Sequence, residues 1–203
     1  MGKGALDLML RVIAVCTGTK YSQWYVDNLK YMVDNYSNLE YNAFEVITEN
    51  RYDDERGVFN KLLMFEKFKD GQNIYFDLDI LIKGDCNKFL REDFTLCHAW
   101  WRPAYHTPLN SSIMSWTGDM SKIHNKFLED PEYYLFKYYR GMDQFLFENI
   151  QYKTYNKDDG YCSYQTVTEE EDYPVYLFNQ RYKCMKDNEW YKKYFMSQEL
   201  EEV

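Results

Sequence analysis

The chain has 203 residues, 45% hydrophobic and 19% aromatic, with a formal charge of −9. That length supports one sizeable core and argues against two full domains, and the acidic balance disfavours a nucleic acid polymer, whose binding rests on Lys and Arg neutralising phosphates. No run approaches ~20 uninterrupted apolar residues, and the N-terminus lacks the basic, apolar and small-residue order of a secretion signal, so a cytoplasmic protein without a transmembrane segment is expected.

Residues 1–10 read as a tail ahead of the first strand pattern, and 11–203 as the folded domain. Arg11 to Cys16 is a short apolar run closed by Thr17-Gly18-Thr19, as a buried strand feeding a turn would be. Ser22 can cap a helix whose apolar positions Tyr25, Leu29, Met32 and Tyr36 share one face. Asn42 to Thr48 predicts a second strand, Val58, Leu62 and Phe65 a second helix, and Asn73 to Phe76 a third strand. This β-α-β-α-β series implies a parallel sheet covered by helices, with ligands beyond the carboxyl ends of its strands. Thr17-Gly18-Thr19 and Asp77-Leu78-Asp79 should then face one crevice.

The second half is less regular. Strands are expected over Phe94–Cys97, Ser112–Trp116, Tyr161–Tyr164 and Val175–Phe178, and helices over Asp119–Glu129 and Met142–Asn149. Asn156 to Gly160 reads as a turn and Glu169 to Asp172 as a solvated charge run. Cys16, Cys86, Cys97, Cys162 and Cys184 are scattered and form no Cys-x-x-Cys pair, which fits free thiols in a reducing compartment. His98, His106 and His124 form no ligand motif.

The chemistry-bearing feature is Asp77-Leu78-Asp79. Two carboxylates at i and i+2, delivered by a strand end, can direct oxygens towards one divalent cation and a phosphate it carries, and hard carboxylates suit Mg²⁺ or Mn²⁺. An EF-hand starting at Asp77 would want Asp or Asn at 81 and Gly at 82, where Leu81 and Ile82 stand. A haloacid-dehalogenase-type phosphatase would want Thr at 81 and a motif nearer the N-terminus. No Gly-x-Gly-x-x-Gly follows the first strand, and no Gly-Lys-Ser/Thr is present.

Phe59 to Phe65, Ile74 to Asp85, Leu109 to Trp116 and Gly141-Met142-Asp143-Gln144 together resemble the GT-A glycosyltransferases, and within them the bacterial and viral enzymes related to family 8. The resemblance spans about residues 11 to 180. It implies a single α/β GT-A domain, of the nucleotide-diphospho-sugar transferase kind, with a Rossmann-like mixed sheet flanked by helices. It also implies a hexosyltransferase-like enzyme that moves a sugar, with retention, from a UDP- or GDP-sugar to a carbohydrate or glycoconjugate acceptor. In such a site Thr17, Gly18, Thr19 and Tyr21 would hold the nucleotide, Asp77 the ribose or metal, Asp79 the metal, and Asn110 either sugar. Asp143 and Gln144 would line the donor-sugar pocket, despite Met142 standing inside the family's usual Gly-Asp-Gln. By the same resemblance Asn179 would take the place of a usual late His as third ligand to Mn²⁺ or Mg²⁺, and Lys183 would stand near the diphosphate.

Bland readings stand beside these. Lys61 is a solvated helix residue or a phosphate or acceptor contact, Asp143 a helix cap or a sugar contact, and Asn179 a turn residue or a ligand. Trp100, Trp101 and Tyr105 are either an acceptor-stacking platform or core. Two other functions compete: a metal-dependent nucleotidyltransferase or phosphatase, and a non-catalytic nucleotide-sugar or carbohydrate-binding protein on the same fold.

Overall fold

The structure, a computed structural model, describes residues 9–52, 57–167, 172–179 and 189–197. Strand β1, Leu10–Val15, is buried along its whole length. Val12 and Ala14 join one apolar cluster, and Ile13 and Val15 join the other. A strand covered on both faces reads as an unbroken apolar run, which is why it was legible.

Helix α1 spans Gln23–Tyr36 after Ser22, whose backbone is extended but whose side chain makes no capping bond. The helix is anchored by its buried face, Tyr25, Val26, Leu29, Met32 and Val33. Tyr36 is only half-buried and meets Tyr194 edge-on, with ring centres 5.4 Å apart.

The helix expected through Val58, Leu62 and Phe65 divides into a 3-10 turn, Val58–Leu62, and a short α2, Leu63–Lys67. Asn60 is fully buried, and its side-chain oxygen accepts from the backbone N–H groups of Arg51 and Tyr52 at 2.9 and 3.0 Å. That buried bond ties the turn to the preceding chain, and a polar side chain held this way competes with regular helix.

Strand β2 is Ala43–Ile47 and β3 is Gln72–Phe76. Both pair in parallel with β1, as the alternating series implied. The expectation of a parallel sheet fails beyond β3, because β6, Leu109–Thr117, pairs antiparallel with β3 and with β5, Thr95–His98. The mixed sheet runs β2-β1-β3-β6-β5-β7, with β7 at Lys153–Tyr155 parallel to β5. A second sheet combines β4, Ile80–Ile82, with β9, Val175–Leu177, and β8, Tyr161–Ser163.

Helices α3, Ser121–Leu128, and α5, Met142–Asn149, fall close to their expected spans. Between them lies α4, Pro131–Lys137, which the apolar pattern did not reveal. Its start is nevertheless written in Asp130-Pro131: the Asp130 carboxylate accepts from Tyr133 N–H at 3.1 Å, and Pro occupies the first turn. One cluster packs α1, β4, β8 and β9 against the main sheet, and the other packs α2, α3, α4 and α5 on its opposite face. Cys16, Cys86 and Cys97 are free thiols, and burial pushes the Cys86 and Cys97 thiols up. Cys184 lies outside the described residues. No helix among the described residues is long and apolar enough to cross a membrane.

Candidate functional site

Because β6 runs against β3, its first residues lie beside the carboxyl end of β3. Asp77, one step past β3, donates its backbone N–H to Ser112 O at 2.9 Å, and its carboxylate accepts from Ser112 Oγ at 2.8 Å. Between β5 and β6 the register jumps from Leu96↔Met114 to Cys97↔Asn110, so Ser111, Ser112 and Ile113 are set against a single step of β5. Such irregularities redirect side chains. Asn110, Ser111 and Ser112 are all buried, and each reaches a different neighbour.

Lys61 Nζ lies 2.5 Å from Asp77 Oδ1, and the two side chains are only 13% and 18% exposed. The solvated reading of Lys61 is therefore corrected: a 3-10 turn, not an exposed helix face, carries it into the site. The ammonium also sits over the Tyr75 ring, 5.2 Å from its centre, and 3.5 Å from Ser111 Oγ. Tyr75 shares a strand face with Asp77 and donates its hydroxyl to the same carboxylate. Burial works to raise the Asp77 carboxyl, but the Lys61 charge and the bonds from Lys61, Tyr75 and Ser112 outweigh it and hold the group below its ordinary range.

Asp79 is buried, and Tyr21 makes a side-chain hydrogen bond to it. Burial, then the Asp79 and Asp77 charges, push the Tyr21 hydroxyl up, so it stays a donor. The structure thus brings Tyr21 from the first-strand loop to both carboxylates. Thr17 Oγ1 instead donates to Gly57 O at 3.3 Å, while Gly18 (φ +72°) and Thr19 form the exposed part of the turn.

Asp79 O accepts from Phe178 N at 3.2 Å, and this bond places Asn179 beside Asn110. Asn110 Nδ2 donates to Asn179 Oδ1 at 3.3 Å, and Asn179 Nδ2 donates to Ser163 Oγ at 2.7 Å. Asn179 has φ +49°, a left-handed backbone that Asn tolerates better than most residues. On the far side of Ser111, the Asp143 carboxylate accepts from Ser111 N at 3.0 Å and from Arg102 Nη2 at 2.9 Å. Asp143 is not the helix cap, since Gly141 holds that place with φ +129° and Met142 is buried in the core. Gln144 lies one residue on and donates to Glu148 at 2.6 Å. Lys183 lies outside the described residues.

Ser112, Tyr75, Arg102 and Ser163 were missed as site residues. The alternation of β3 could have nominated Tyr75, but nothing local signals Arg102, whose guanidinium also donates to Leu109 O. Trp100 and Trp101 meet edge-on at 5.0 Å and pack on Tyr161, whereas Tyr105 is 82% exposed, so these three rings do not form one platform. A cavity of 480 Å³ opens nearby, lined by His98, Trp100, Arg102, His106, Pro108 and Phe147.

As a donor set for Mn²⁺ or Mg²⁺ the arrangement does not fit. Asp77 Oδ1 is taken by Lys61 and Tyr75 and its Oδ2 by Ser112, and the Asn179 oxygen is taken by Asn110. Among the described residues no group of three or more His, Cys, Asp or Glu is placed to hold a metal, whereas divalent ions of this kind want several free oxygens.

No known family profile and no curated protein matches the chain. Solved structures do. A glycosyltransferase involved in glycosylation of the major capsid of PBCV-1 superposes with a TM-score of 0.65 at 12% identity, over 89% of this chain and 100% of that one. The glycosyltransferase GlyE of Streptococcus pneumoniae TIGR4 follows at 0.61 and 12% identity, over 92% of this chain and 61% of that one. Its apo form gives 0.57. The chain therefore has a mixed α/β fold of glycosyltransferase type, and it spans about 61% of GlyE.

Proposed function

We propose that the chain is a glycosyltransferase that moves a sugar from a nucleoside-diphosphate donor, a UDP- or GDP-sugar, to a carbohydrate or glycoconjugate acceptor. One observation carries the reading: Lys61, Asp77, Ser112, Ser111 and Asp143 form a continuous polar chain beyond the carboxyl end of β3, on a fold shared with glycosyltransferases. Open α/β sheets bind ligands at that edge.

In this reading Tyr21 and the loop through Thr17, Gly18 and Thr19 receive the nucleotide, Asp79 presents an oxygen to its ribose hydroxyls, and Asp77 holds Lys61 towards its phosphates. As the bond from the sugar to the diphosphate breaks, negative charge grows on the leaving group, and the Lys61 ammonium, held in place before reaction, stabilises it. Resemblance would add Mn²⁺ or Mg²⁺ at Asp77, Asp79 and Asn179; no step of the transfer is assigned to it, because those oxygens are engaged. Asp143, fixed from two sides, and Asn110 orient the donor sugar, with Gln144 joining them on release from Glu148. The acceptor enters by the cavity between Arg102 and Phe147, the latter one turn along α5 from Asp143.

Asp143, held by Ser111 N–H and Arg102, is assigned the positioning role, and with it the retention that the family resemblance implies. The test is incubation with UDP- and GDP-hexoses while released nucleotide is followed. Release of nucleoside diphosphate is expected. Pyrophosphate or inorganic phosphate would instead assign a nucleotidyltransferase or phosphatase, and binding without turnover a carbohydrate- or nucleotide-binding protein. Proton NMR of the first-formed product, read through its anomeric coupling, should show the donor's configuration; the opposite anomer would make Asp143 a general base.

A further inference from the structure

We infer that the Lys61 ammonium is the resident cation of this site: it holds Asp77 in place of a divalent ion, and the chain binds a nucleoside diphosphate without one. The inference rests on the nucleotide-sugar reading above for its ligand, and on geometry for the rest.

Three features support it. Lys61 Nζ is 2.5 Å from Asp77 Oδ1 in a pocket that leaves both side chains largely covered, so the pair is poorly screened by water. Tyr75 and Ser112 donate to the same carboxylate, which fixes it facing the ammonium. A divalent ion entering at Asp77 would have to displace Lys61 and leave an unpaired charge in a nearly buried place, a costly exchange. Beyond Asp77 and Asp79, Asn179 offers only a neutral oxygen, already accepting from Asn110 at 3.3 Å.

The same geometry explains how the ammonium can serve a ligand. An ammonium has three N–H donors. Among the described residues, Asp77 takes one, and Ser111 Oγ, at 3.5 Å, stands at the limit of hydrogen-bond distance. The Tyr75 ring supports the cation from one side at 5.2 Å. A diphosphate oxygen reaching the 13% of the Lys61 side chain that stays exposed meets a cation already oriented by Asp77. Asp77 then acts as a positioning residue for Lys61.

Two measurements on the full chain test this. Mn²⁺ alone, titrated by electron paramagnetic resonance without nucleotide, should bind Lys61→Met at least about tenfold more tightly than the unmodified chain, because the competitor for Asp77 is gone. Lys61→Arg, which keeps the charge, should bind Mn²⁺ as weakly as the unmodified chain. Equal or weaker Mn²⁺ binding by Lys61→Met overturns the inference. The second measurement needs no variant, so it decides the matter even where Lys61→Met fails to fold. Calorimetric affinity of the unmodified chain for UDP or GDP should differ by less than about threefold between EDTA and saturating Mn²⁺, since the charge-assisted contact is supplied by the ammonium. Binding seen only with Mn²⁺ overturns the inference and leaves the nucleotide-sugar reading standing. No binding of either nucleotide under either condition overturns both the nucleotide half of the inference and the proposed function.

Discussion

Beneath α3 and α5, the rings of Phe59, Phe127, Tyr134 and Phe145 fill space with centres 5.1 to 6.2 Å apart, whereas at the start of β6 the equally buried Asn110, Ser111 and Ser112 direct their polar atoms at named partners. The first region stabilises by area removed from water and by close packing. The second gains little net stability, because hydrogen bonds there replace bonds to water. What the polar seam provides is placement: it holds Asp77, Lys61 and Asp143 at fixed positions relative to one another. Substitutions should therefore separate the two regions, one registering in stability and the other in ligand handling.

The sharpest separation is expected from Phe127→Ala, which removes a fully buried ring contacting four others. It should cost about 3–5 kcal/mol in denaturant unfolding, while the molecules that remain folded keep their nucleotide affinity. A change in affinity per folded molecule would show the two regions to be coupled. Asp143→Asn should do the reverse. The amide oxygen can still accept from Ser111 N, but the ion pair to Arg102 is lost. Sugar transfer should fall about a hundredfold through misplacement of the donor, with nucleoside diphosphate affinity and melting temperature little changed; steady-state rates beside a thermal melt check it, and an unchanged rate removes Asp143 from the site.

How much of this could be read from the chain depended on the range of the signal. β1 and α5 were legible because a continuous apolar run and a local helical pattern are properties of neighbouring residues. That the Thr17–Thr19 turn and Asp77–Asp79 face one crevice followed from the alternating β-α-β order, whereas Tyr21 and Asn179 were assigned to the site only through resemblance to a family, since no spacing connects segments so distant. Lys61 shows the limit most clearly: the apolar positions around it suggest a regular helix, and only the buried Asn60 side chain, reaching back to Arg51 and Tyr52, makes the 3-10 turn that brings the ammonium inwards. Arg102 was invisible because its partner Asp143 lies on another element altogether.

Smaller effects refine the contrast. Ser112→Ala removes the 2.8 Å bond to Asp77 but leaves the backbone bond from Asp77 N–H intact. A loss of about 1 kcal/mol in stability is expected, with a drop in nucleoside diphosphate affinity of roughly three- to tenfold. Calorimetry in parallel with urea unfolding measures both, and a stability loss alone would make Ser112 purely structural.

The smallest effect lies within the apolar layer. His124 is buried against the Tyr52 hydroxyl. Burial lowers its pKa, the nearby Arg51 and Lys69 charges add to that, and Glu66 opposes it. The unfolded chain therefore binds the proton more readily than the folded one. Stability tied to this group is full above the unfolded value of ~6.5 and is lost as pH falls through the lowered folded value. Melting temperatures between pH 8 and pH 5 should decline more steeply in the unmodified chain than in His124→Gln, and parallel declines would remove His124 as the cause.

The antiparallel pairing of β3 with β6 should also set the order of events in folding. Tyr21, Lys61, Asp77, Ser112, Asp143 and Asn179 come from nearly the whole length of the chain, and closing such long loops is slow compared with forming α1 or α5. Helical signal should return early after dilution from denaturant, and nucleotide binding late and in a single phase with β6 docking, which makes ligand capture a timer for the last step of assembly.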